Sequence, residues 1–82
     1  MHLQPEIVKA VKKAMIDTGN NINDKELFSR CYVDTEIAAR NCNNVNNLFR
    51  YCYKPAIRSI KAIMESRVLS EVTKRTIYDR NR

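Results

Sequence analysis

A chain of 82 residues with 44% apolar residues, one Gly and two Pro has the composition of a single folded helical domain rather than a disordered one. A domain this small buries only about 60–65% of its unfolded surface, which argues against a deep catalytic pocket. The formal net charge is +6 and the pI about 9.5, a balance that suits a polyanionic partner or an acidic protein face.

The charge is uneven. Residues 1–53 carry seven Lys/Arg against six Asp/Glu, and residues 54–82 carry eight against three. A basic C-terminal third therefore reads either as an electrostatic footprint for nucleic acid or as a solvated helix face with a basic tail. Cys31, Cys42 and Cys52 are separated by ten and nine intervening residues, without a CxxC pair. That pattern predicts free thiols in a reducing cytoplasm and no metal site. No run approaches 18 apolar residues, so no membrane span is expected. The opening MHLQPEIVK is not expected to be a signal or transit peptide.

Pro5 to Thr18 is predicted as the first helix. Pro5 suits the first helical position and Glu6 the positive end of the dipole. Ile7, Ala10, Val11, Ala14 and Met15 form an apolar stripe of helical period. Gly19 is placed to end the helix in the left-handed region.

A second helix is expected over Asn23–Tyr32. Asn23 is read as its cap, Glu26 closes a capping box, and Ile22 with Leu27 form a hydrophobic staple. Tyr32 and Val33 lead out of it. A third, short helix follows from Asp34, capped by Asp34 or Thr35 and running to about Asn41. Ile37, Ala38 and Ala39 face the core, the alanines permitting close approach of another helix.

Asn41-Cys42-Asn43-Asn44 reads as a turn, since Asn tolerates left-handed backbone and can replace backbone hydrogen bonds. Asn44 then caps a fourth helix, Val45–Tyr53, with Leu48, Phe49 and Cys52 buried. Pro55 breaks the chain and starts a fifth helix, predicted over residues 55–73. Its stripe is Ile57, Ile60, Met64, Val68 and Val72, widened by Ala56 and Ile63. A polar, basic, frayed tail follows over residues 74–82.

The segment Glu36-Ile37-Ala38-Ala39-Arg40, seven residues, then Leu48-Phe49-Arg50-Tyr51-Cys52-Tyr53-Lys54 resembles the helix-turn-helix of TetR-type repressors in residue type and spacing. The match covers about 20 residues of the 82. It departs from the family where the turn Gly is Cys42 and the next Val is Asn43, and the chain has no room for the family's ligand-binding domain. The resemblance implies a helix-turn-helix over about residues 34–54, with the fourth helix as the recognition helix. By position Asn43, Asn44, Asn46, Asn47 and Arg50 meet DNA, Asn suiting adenine and Arg guanine or phosphate. Tyr51 and Lys54 fall where the family contacts the backbone, and Arg58 and Lys61 add phosphate contacts from the fifth helix.

The expected architecture is thus all-α: a single small domain of about five helices with a tri-helical helix-turn-helix core. The expected function is a small DNA-binding transcriptional regulator, of the size found in phages and mobile elements. Double-stranded DNA is the partner, with a homodimer through the C-terminal helix. The rival expectation is a helical protein-interaction module, an inhibitor or adaptor of a larger enzyme or complex, for which Tyr32, Tyr51, Tyr53 and Tyr78 supply aromatic contact. No enzyme is expected: the chain has one His, at position 2, and its carboxylates sit mostly at helix starts, where capping accounts for them.

Overall fold

The computed structural model describes residues 3–43 and 45–80, with backbone only for residue 45 and residues 71–80. It contains three α-helices: α1 (Pro5–Asp17), α2 (Lys25–Ala39) and α3 (Leu48–Arg80), the last preceded by a 3-10 turn, Val45–Asn47. Helices α1 and α2 pack on each other and both pack on α3.

Helix α1 follows its sequence closely. Ile7, Ala10, Val11, Ala14 and Met15 are all buried, and Pro5 opens the helix. It ends in a Schellman motif: Gly19, at φ 75°, donates to the Ile16 carbonyl at 3.0 Å, and the Asn20 N–H donates to that of Met15 at 2.8 Å. Thr18 adds a hydroxyl bond to the Ala14 carbonyl at 2.7 Å.

The second and third expected helices are one. Asp24, not Asn23, is the cap: its carboxylate accepts from the Leu27 N–H at 3.0 Å. Asn23 instead donates its N–H to the Asn21 side chain in the preceding turn. The supposed break at Tyr32–Asp34 is helix interior. Tyr32 is 6% exposed, and its hydroxyl accepts the Gln4 N–H at 2.8 Å. Thr35 does not cap. It is fully buried and returns its hydroxyl to the Cys31 carbonyl at 2.8 Å. Asp34 accepts from the Ser59 hydroxyl on α3 at 2.8 Å. Local capping propensity is overridden because Leu27, Cys31, Tyr32 and Thr35 form one continuous buried stripe. Ile37, expected inside, is 54% exposed.

The fourth and fifth expected helices are also one, and Pro55 lies inside it. Proline in a helix interior removes a hydrogen bond and costs about 3 kcal/mol. The stripe Leu48, Cys52, Ala56, Ile60 and Ile63 is buried on both sides of Pro55, and its packing holds the helix through that point. Beyond Ile63 the expected apolar stripe leaves the core. Met64 is 38% and Val68 59% exposed, while the side chain of Val72 lies outside the described residues. The backbone of α3 stays helical to Arg80, so residues 74–80 are not an irregular tail. Residues 81 and 82 lie outside the description.

The expected turn does not use left-handed backbone at Asn41, Cys42 or Asn43. Among the described residues no residue other than Gly has positive φ. The end of α2 tightens instead: Arg40, Asn41 and Cys42 donate to the carbonyls three residues back, those of Ile37, Ala38 and Ala39. The expected cap at Asn44 lies outside the described residues.

Candidate nucleic-acid interface

The α2–α3 turn and the first turns of α3 share one surface. Leu48, Cys52, Ala56 and Ile60 are buried, and between them Arg50, Tyr51, Lys54 and Arg58 are exposed. Arg50, Lys54 and Arg58 are four apart and Lys61 three further on, so the four cations fall on one side of the helix. All four are exposed. Arg50 to Lys61 spans about 16 Å along the axis.

An open groove of about 650 Å³ runs beside this stripe, lined by Cys42, Asn43, Asn47, Arg50, Tyr51, Lys54, Pro55 and Arg58. Six residues expected from the sequence to meet DNA are therefore together: Asn43, Asn47, Arg50, Tyr51, Lys54 and Arg58. Lys61 lines an adjoining groove with Lys54 and Arg58, where Asp17, Thr18, Tyr53 and Ile57 complete the wall. Asn46 is exposed on the 3-10 turn and Asn44 lies outside the described residues.

No carboxylate lines the first groove. Among the described residues none of the four cations forms an ion pair; the pairs present are Lys9–Glu6, Lys13–Asp17, Arg30–Glu26 and Arg67–Asp24. Like charges at i,i+3 and i,i+4 on a helix each cost about 0.2–0.5 kcal/mol. The stripe therefore carries a small destabilisation that a bound anion would remove.

The one acid at the second groove is held away from the cations. Asp17 accepts from the Tyr53 hydroxyl and pairs with Lys13 at 3.3 Å. The Tyr53 bond, with help from Lys13, holds the Asp17 carboxyl below its ordinary value, and the same bond raises the Tyr53 phenol. Lys13 also sits 5.8 Å from the centre of the Tyr53 ring. Tyr53 is thus half-buried and tied to α1, and Tyr32 is buried; of the four tyrosines expected at a surface Tyr51 is exposed at 42%, and the side chain of Tyr78 lies outside the described residues.

Sequence reasoning missed Cys42 and Pro55 as groove walls, because it placed the boundary of two helices at Pro55. It also missed the Asp17–Tyr53 clasp, a contact across 36 positions that no local pattern encodes. None of the three cysteines forms a disulfide with a described residue. Burial pushes the Cys31 and Cys52 thiols up, which makes them poor nucleophiles.

No family model, no curated protein and no solved structure matches this chain. Among the described residues no helix is long and apolar enough to cross a membrane.

Proposed function

We propose that the protein is a small double-stranded-DNA-binding regulator that presents the α2–α3 turn and the first turns of α3 to the duplex, in the manner of a helix-turn-helix. The observation that carries the reading is the exposure of Asn46, Asn47 and Arg50 together, on the same surface as the unpaired cations Lys54, Arg58 and Lys61. Asn43, Asn46, Asn47 and Arg50 lie around the start of α3 and are assigned to base edges. Tyr51, Lys54, Arg58 and Lys61 are assigned to phosphates. A cation row about 16 Å long suffices to cross a major groove about 12 Å wide and reach its flanking backbone.

The test is fluorescence anisotropy with labelled duplex DNA across a salt series. The three cations assigned to phosphates, Lys54, Arg58 and Lys61, correspond to a slope of about −2.7 in log K against log salt. Asn47→Ala/Arg50→Ala weakens binding and reduces the preference among sequences, whereas Arg58→Ala lowers affinity for all sequences and flattens the slope by about one. Absence of binding at low salt refutes the proposal.

A second reading, a helical module that docks on a larger protein, draws on Met64, Val68 and Leu69, which are 38%, 59% and 66% exposed on α3 beyond the three-helix core. The same side chains are the ones a homodimer through the C-terminal helix would use.

A further inference from the structure

A third groove, sharing no residue with the two basic ones, lies between α1, α2 and the turn that joins them. It encloses about 600 Å³. Its floor is Val8 and Phe28, both half-buried, and its rim is Leu3 and Ile22, which are 46% and 45% exposed. Lys12, Asn23, Lys25 and Ser29 complete the lining and no carboxylate contributes. Both lysines are exposed, and neither forms an ion pair with a described residue. The acids nearest in sequence are engaged elsewhere: Asp24 holds the Leu27 N–H and Arg67, and Glu26 faces Arg30 at 3.9 Å.

We propose that this groove binds an acidic, apolar segment of a protein partner. Bulky aliphatic or aromatic side chains of the segment rest on Val8 and Phe28 beneath Leu3 and Ile22, and its carboxylates meet Lys12 and Lys25. The apolar floor is what separates this site from the basic groove. A duplex offers phosphates to the two lysines and nothing to the four apolar side chains, whereas an acidic amphipathic segment satisfies both. A second copy of the chain is a poor occupant. Its net charge is +6, and Glu6, Asp17, Asp24 and Glu26 already sit in ion pairs.

The experiment is a titration of the full, isotope-labelled chain, followed by amide chemical shifts. The probe is a blocked peptide of about twelve residues with Leu and Phe at helical spacing between Glu and Asp, a recurring format for groove recognition. The expected result is saturable shifts centred on Val8, Lys12, Ile22, Lys25 and Phe28. Lys12→Glu/Lys25→Glu then weakens binding about fivefold to tenfold and gives a preference for the same peptide with Lys in place of its acids. Ile22→Glu, at an exposed position on the rim, also abolishes the shifts. Three results overturn the proposal: no shifts at peptide concentrations of about 1 mM, where only the weakest contacts escape detection; shifts centred on Arg50, Lys54 and Arg58, which would mean simple attraction to the basic stripe; or binding indifferent to the lysine reversal.

Discussion

Replacing Pro55 by Ala decides between one long helix and two short ones. In a continuous α3, Pro55 withholds the N–H that would bond the Tyr51 carbonyl four residues back, and its ring crowds that turn. Alanine restores the bond and removes the crowding, a gain of up to about 3 kcal/mol on propensity measurements. Two effects oppose it. The unfolded chain regains the freedom that proline denied it, about 0.4–1 kcal/mol. The half-buried ring also loses some apolar contact, about 0.8 kcal/mol per buried methylene. The net expectation is a stabilisation of about 1–2 kcal/mol, or a rise in Tm of roughly 5–15 °C for a domain of this size. Thermal and urea unfolding followed by far-UV circular dichroism measure it. If Pro55 instead begins a separate helix, its missing N–H costs nothing there, and the alanine variant is unchanged or less stable. That outcome would refute the continuous helix, and with it the alignment of Arg50 with Lys54, Arg58 and Lys61.

Other perturbations probe other parts of the molecule. Ile60→Ala, at a fully buried position, costs about 2–5 kcal/mol in urea melts and leaves the domain largely unfolded at 37 °C, whereas Val68→Ser changes stability by less than about 0.5 kcal/mol. Tyr32→Phe removes the acceptor of the Gln4 N–H and costs about 1 kcal/mol, readable as faster amide exchange at the start of α1. At Asp24 the expected order of Tm is wild type, then Asp24→Asn, then Asp24→Ala, because asparagine keeps the cap and loses the Arg67 pair. The Leu27 N–H, and then Arg67, hold the Asp24 carboxyl below its ordinary 3.8. Its stabilisation is therefore present above that ordinary value and is lost as pH falls through the lower folded value. The gap between wild type and Asp24→Asn must close over that range, and a gap that widens on acidification would contradict the assignment.

Where burial and local propensity agreed, the sequence could be read. The stripe Ile7, Ala10, Val11, Ala14 and Met15 and the Gly19 stop describe α1 as it stands. The boundaries inside α2 and α3 failed for one shared reason. Asp34, Thr35 and Pro55 are local signals to start a helix, and each sits where the buried stripe of the longer helix runs on past it. Thr35 shows this directly: a residue type that caps by hydroxyl turns that hydroxyl back to the Cys31 carbonyl when its surroundings are apolar. Of the residues expected at the site, Asn43, Asn47, Arg50, Tyr51, Lys54 and Arg58 line one groove. The spacing of Arg50, Lys54, Arg58 and Lys61 is the same whether the chain breaks at Pro55 or continues; only their common face depends on continuity.

Continuity of α3 also bears on how the candidate interface is held. One helix carries the core on one side and the cation stripe on the other, so the packing of Leu48, Cys52, Ala56 and Ile60 fixes the direction of Arg50, Lys54 and Arg58. The residues where α3 meets α2 are small. The Cys31 thiol approaches the Ala56 carbonyl at 3.5 Å, and Ser59 reaches Asp34 at 2.8 Å. The two helices thus meet at Cys31 against Ala56 and at Asp34 against Ser59, and of the expected alanine pair Ala39 is half-buried against the core. On the α1 side the Tyr53–Asp17 bond adds a second tether one residue before Lys54. With α2 and α1 both anchored within two turns of the stripe, the cations lose mainly their own side-chain freedom on meeting an anion. A site built this way binds with little reorganisation of the backbone. The Asp17→Asn variant, which weakens the Tyr53 tether and the Lys13 pair but leaves Arg50, Lys54, Arg58 and Lys61 in place, is accordingly expected to reduce DNA affinity less than Lys54→Ala does.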